Sequence, residues 1–173
     1  MKSIVLLLLV APASLLAQST NSKNPVVSAA RAVVERQSNN LIGAAKEMPP
    51  ENYGYKPTPG QMSFGALMAH VANSNTTFCS ALGSHGAPPS PAQEADGKDR
   101  LVAAVQQSFD WCTKALGEID DAKLGDETEL HGGRKVTKAT ALLILTSALA
   151  DHYATTAMYL RLKGLTPPSA AGK

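Results

Sequence analysis

The sequence predicts an all-α protein folded as an antiparallel four-helix bundle. Three observations predict it. Four segments repeat apolar residues at three- and four-residue steps. Proline, glycine or a capping residue bounds each of them. No stretch sustains the two-residue alternation of a strand. Amphipathic helices with stripes this wide bury them by sharing one core.

The first helix is expected over 25–48, with Val26, Ala30, Val33, Val34, Gln37, Leu41, Ala44 and Met48 as its stripe. Pro25 suits a first helical position, where no N–H is needed, and Pro49-Pro50 stops the helix. The second is expected over 63–82. Ser63 is its N-cap, Phe64, Leu67, Met68, Val71 and Phe78 its stripe, and Gly83 its C-terminal stop. The third begins at Gly97 or Lys98 and runs to about residue 120, along Leu101, Val105, Phe109, Cys112, Leu116 and Ile119. The fourth spans 137–163 along Leu142, Leu145, Leu149, Tyr153, Thr156 and Leu160, closed by Gly164 and Pro167-Pro168. The connections over 52–61, 84–96 and 121–136 are long for a bundle, and are expected to cover an end or frame a site. The last, with Gly132-Gly133, has room for a short hairpin.

The chain has 173 residues, 44% apolar and only 17% charged, the balance of one globular domain. Its net charge is +2 and no basic block exceeds two adjacent residues, Arg134-Lys135 being the clearest. A phosphate-tracking surface for nucleic acid is excluded on that basis. Met1-Lys2, an apolar run over 4–10 and small residues up to Ala17 have the layout of a secretory signal peptide, too short for a permanent membrane span. The expected organisation is a signal over 1–17, a bundle domain over 18–168 and a flexible tail over 169–173. The mature protein is then exported, periplasmic or secreted.

Four histidines are present: His70, His85, His131 and His152. At about 100° per residue, His70 falls near the edge of the second helix's stripe and His152 just inside the edge of the fourth's. Facing helices of a bundle are where such proteins build metal and ligand sites, although a lone histidine there more often packs. No His-x-x-x-His pair occurs, because Ala148 stands one turn before His152, and Asp151 points away as a solvated carboxylate. His70, Asn73 and Thr77 share one face of the second helix and make either a polar pocket wall or an edge of the core. Tyr153 is expected to pack its ring with its hydroxyl at a polar edge, and Arg161 to suit the helix C-terminus. No nucleophile elbow, phosphate loop or dinucleotide fingerprint is present. Cys79 and Cys112 lie on consecutive helices near the packed side. A bridge is preferred to a catalytic thiol, since neither has a neighbour that lowers its pKa. Closing a loop of about 33 residues stabilises by about 3–4 kcal/mol on the loop-entropy account.

The residues Tyr53-Gly54-Tyr55-Lys56-Pro57-Thr58-Pro59 lead into Phe64-Gly65-Ala66-Leu67-Met68-Ala69-His70-Val71-Ala72. Phe78-Cys79, Ser108-Phe109-Asp110-Trp111-Cys112, His152-Tyr153, Tyr159-Leu160-Arg161-Leu162-Lys163-Gly164 and Pro167-Pro168-Ser169 follow. In order and spacing, over nearly all of the mature chain, this resembles the DinB-like superfamily, in particular exported bacterial members with two cysteines. The resemblance implies a four-helix bundle, often a homodimer, with helices one and four as its interface. It also implies a divalent metal, nickel or zinc, held by one histidine from helix two and two from helix four. His70 matches the helix-two ligand and His152 the second helix-four ligand, while the first helix-four ligand falls on Ala148. Glu35 could replace it, or His85 or His131 if a loop folds over the site. The activities implied are a metal-dependent hydrolase or a thiol transferase with a degenerate site. The alternative is a non-catalytic envelope bundle that binds a small ligand or protein partner.

Overall fold

A computed structural model describes residues 23–83 and 86–171; the expected signal over 1–17 and His85 lie outside them. The elements are α1 (Pro25–Glu47), α2 (Phe64–Leu82), α3 (Gly97–Gly117), β1 (Glu127–Leu130), β2 (Arg134–Thr137) and α4 (Lys138–Leu162), with short 3-10 turns between them. The helix limits fall close to expectation because local chemistry sets them. Ser63 and Thr137 cap α2 and α4, their hydroxyls accepting from the N–H groups of Ala66 and Thr140. Gly164 turns the chain at φ +73° after α4.

Around the bundle the order is α1, α3, α2, α4: α1 and α2 each pack on α3 and α4, and not along one another. The expected antiparallel packing holds for α1/α3 and α2/α4. Arg31, early in α1, meets Leu116 at the end of α3, and Met62, just before α2, meets Tyr159 near the end of α4. The pairs α2/α3 and α1/α4 run parallel. Asn75 meets Ser108, Cys79 is bonded to Cys112, and Gly83 abuts Ala115. A parallel pair needs a connection that returns along a helix, which explains the long segment before α3. Ala92 is tied to Asn73 in mid-α2, and the Glu94 carboxylate accepts from the Ser63 hydroxyl at the start of α2.

Three charged side chains close helix ends of the α1/α3 pair. The Asp121 carboxylate accepts from Val26 and Val27 N–H at 2.9 and 2.8 Å, at the α1 N-terminus. Lys98 Nζ donates to Lys46 and Met48 carbonyls at its C-terminus, at 2.7 and 2.8 Å. Arg31 donates to Leu116 and Ile119 carbonyls at the end of α3. Each charge has the sign that the helix dipole favours and satisfies groups that the helix leaves orphaned.

The structure corrects some details and bears out others. Val26 is 52% exposed and Val27 is the buried residue, so the α1 stripe begins one position later. Gly83 ends α2 in extended backbone rather than a left-handed turn. A Cβ there would stand 2.8 Å from the Ala115 carbonyl oxygen, so close helix approach is what requires glycine. The 121–136 connection does contain a hairpin, its turn made by Gly132 and Gly133 at φ +82° and +78°. The expected tail is held at its first residue: Ser169 N–H donates to the Tyr153 hydroxyl at 2.9 Å, and Pro168 packs on Gly43. No described helix is long and apolar enough to cross a membrane.

Replacing Arg31 by Ala leaves the last carbonyls of α3 without their donor. It should cost about 1.5–3 kcal/mol in urea unfolding, as hydrogen bonds to a charged group do. A loss below about 0.5 kcal/mol would mean that water replaces the guanidinium without penalty.

Candidate functional site

The antiparallel α2/α4 pair brings His70 and His152 together. Their rings stand edge to face with centroids 5.0 Å apart. His70 is exposed on the outer edge of α2, its Nε2 3.4 Å from the Ser74 hydroxyl one turn on. His152 is 9% exposed, and its Nδ1 has no hydrogen-bond partner. Burial lowers the His152 pKa below its ordinary 6.5, and neighbouring His70 lowers it further, against a smaller raising effect of Asp151. The pair is therefore an exposed imidazole beside a buried one that resists protonation.

Among the described residues, two imidazoles are the donors at this point. Ala148 stands one turn before His152, and no three His, Cys, Asp or Glu residues among those described come close enough to hold a metal ion. Glu35 does not fill in. It lies on α1, diagonal to α2, in a separate groove with Arg31 and Thr113. A metal centre with three protein ligands does not fit these residues.

His70 opens instead onto a groove of about 520 Å³ between α2 and the hairpin. Its helical wall is His70, Asn73, Ser74, Thr77 and Phe78, and its hairpin wall is Leu130, His131 and Arg134. Of the residues expected in a pocket, Asn73 and Thr77 line it; Ala148 and His152 do not. Asn73 has a second task. Its amide donates to the Ala92 carbonyl and accepts from the Ala92 N–H, both at 2.9 Å, which fixes the returning segment. The Thr77 hydroxyl donates back to the Asn73 carbonyl at 2.9 Å.

The hairpin folds against α2 and brings His131, a ligand candidate only if its loop covers the site, to the groove together with Arg134, to which the sequence assigns no site role. In its register Leu130 faces Arg134 and Thr128 faces Val136, so these four share one face. That face packs inward, with Leu130 buried and the Thr128 hydroxyl donating to the Ala81 carbonyl of α2. Arg134 is the charged member of the face and stands at its open end over the groove. The signal was present as a four-residue alternation on each side of Gly132-Gly133, too short to stand out among helical periods.

The groove offers imidazole, hydroxyl and guanidinium groups. Ser74 Oγ lies 3.4 Å from His70 Nε2, a longer contact than the about 2.6–3.2 Å of a nucleophile bonded to its base. Cys79 and Cys112 are bonded to each other at zero exposure and take no part in chemistry.

Comparison with known proteins places this geometry in context. The family model described as the DinB superfamily matches residues 34–156. No curated protein matches the sequence. Among solved structures, a DinB-like protein from Bacillus cereus is similar at TM-score 0.67 and 16% identity, over 82% of this chain and 95% of that one. YfiT from Bacillus subtilis, described as a probable metal-dependent hydrolase with an unusual four-helix bundle topology, is similar at TM-score 0.63 and 16% identity, over 86% and 93%. A mycothiol-dependent maleylpyruvate isomerase is similar at TM-score 0.57 and 15% identity, over 74% of this chain and 59% of that one. At these identities the likeness is one of fold.

The state of His152 is testable by pH. Its folded pKa lies below its unfolded one, so the unfolded chain binds the proton more readily. Its contribution to stability is complete above about pH 6.5 and is lost as the pH falls through that value toward the folded pKa. Melting temperatures at pH 7.5 and 5.5 should fall with acid in the wild type and fall less in His152→Gln. Equal acid sensitivity in both would show that His152 is not held neutral.

Proposed function

Starting from a chain that belongs to the DinB superfamily, we propose an exported envelope protein that binds a small ligand in the groove between α2 and the hairpin without metal chemistry. Ala148 carries this reading. With alanine one turn before His152, the facing helices supply two imidazoles where a metal enzyme needs a third protein ligand. Export is supported by the signal-like layout of residues 1–17 and by the buried Cys79–Cys112 bridge, which suits an oxidising compartment. The mature bundle then begins at residue 18.

One observation favours a second reading. The unpartnered Nδ1 of His152, on a ring held neutral, is what a coordinating imidazole requires. On that reading His70 and His152 hold nickel or zinc, and the protein is a metal-dependent hydrolase, as YfiT is described, or a thiol transferase, in keeping with the mycothiol-dependent isomerase. Elemental analysis separates the two. After incubation with nickel or zinc and desalting, the wild type should retain well below one equivalent, and Ala148→His should retain markedly more. Near-stoichiometric metal in the wild type, lost in His70→Ala, would overturn the metal-free reading.

For assembly, we propose a homodimer through α1 and α4, the face lined by Val26, Ala29 and Val33 on one helix and Ala139, Leu142 and Leu143 on the other. Leu143 is 69% exposed there, an apolar patch of the kind that partners cover. Sedimentation velocity should show a dimer that Leu143→Glu converts to monomer; a wild-type monomer at all concentrations removes this assembly.

A further inference from the structure

Resting on the reading of the groove as a ligand site, we infer that its ligand carries an anionic group, a carboxylate or phosphate, which Arg134 and His131 of the hairpin grip against His70 and the hydroxyl of Ser74. The charges on the hairpin are sorted by face. The outer-face pair Glu127 and Lys135 make an ion pair at 3.0 Å. Glu129 pairs with Lys135 in the register and shares that outer face. Arg134, on the inner face, has no ion pair among the described residues.

The opposite wall offers it no acid. The 19 residues of α2 contain no Asp, Glu, Lys or Arg, and His70 is their only titratable group outside the bridged cysteine. Asp126, before the hairpin, is taken by Lys138 at 3.5 Å. A guanidinium left over a concave wall of hydroxyls and imidazoles matches the geometry of a carboxylate or phosphate, which it can hold through two parallel N–H donors. The turn serves the same end. The positive φ of Gly132 and Gly133 tightens the hairpin, so that His131 and Arg134 flank the groove from either side of its tip.

The test uses the full mature protein, with phosphate, acetate and the neutral isostere acetamide as probes at constant ionic strength. The imidazole C–H signals of His70 and His131 are followed by NMR. Phosphate or acetate should move both signals saturably, and acetamide should not; the tighter of the two anions identifies the group as phosphoryl or carboxylate. Arg134→Gln should weaken anion binding about tenfold, the loss of one charge-assisted contact. Lys135→Gln, the adjacent cation on the opposite face, should leave it unchanged. Equal weakening by both variants would mean diffuse electrostatics and overturn the proposal. If acetamide binds as well as acetate, the groove is a ligand site but the anionic class is wrong. If none of the three probes moves the signals, the inference and the ligand-site reading beneath it both fall.

Discussion

The buried bridge between Cys79 and Cys112 staples α2 to α3, which lie side by side in the same direction, and the arrangement of the other helices follows from that pairing. Parallel helices place like ends of their dipoles together and cannot be joined by a short loop. The cost is met locally. Asn75 and Ser108 satisfy each other in the core, Trp111 donates to Ser80, and Gly83 lets the two backbones approach where any side chain would collide with Ala115. With α2 committed to α3 on one side, its other neighbour is α4, running the opposite way. That antiparallel contact is what sets His152 beside His70.

Three charged side chains tie helix ends together. Asp121, Lys98 and Arg31 each reach across the α1/α3 pair to a terminus where backbone groups lack partners. The arrangement fixes the stagger of two antiparallel helices and leaves the interior nearly free of charge. Among the described residues the buried polar side chains that remain are paired, except at Nδ1 of His152. An unpaired buried nitrogen costs stability, and this one belongs to the ring that stands against His70.

Function is then a question of how many donors the α2/α4 contact supplies and what the hairpin adds. A single alanine, Ala148, reduces the helical contribution to two imidazoles. The hairpin adds His131 and Arg134 to a wall that already presents His70, Ser74 and Thr77. The result is an open groove lined by imidazole, hydroxyl and guanidinium groups.

Local chemistry was legible in the sequence wherever one residue decides one event. Ser63 starts a helix, Pro49-Pro50 stops one, Gly132-Gly133 turns a hairpin, and Cys79 and Cys112 pair because two thiols on packed faces of neighbouring helices meet. The resemblance to the DinB-like superfamily pointed to His70, His152 and the missing ligand at Ala148. Periodicity, however, locates a face only to within a residue or so, so it points to Val26 where Val27 is the buried residue. It also carries no information on which helix lies next to which. The order α1, α3, α2, α4, the parallel pairs, the clamp of Asn73 on Ala92 and the placement of Arg134 over the groove were decided by tertiary packing alone. They depend on contacts between residues far apart in the chain, and such contacts leave no spacing for a single sequence to display.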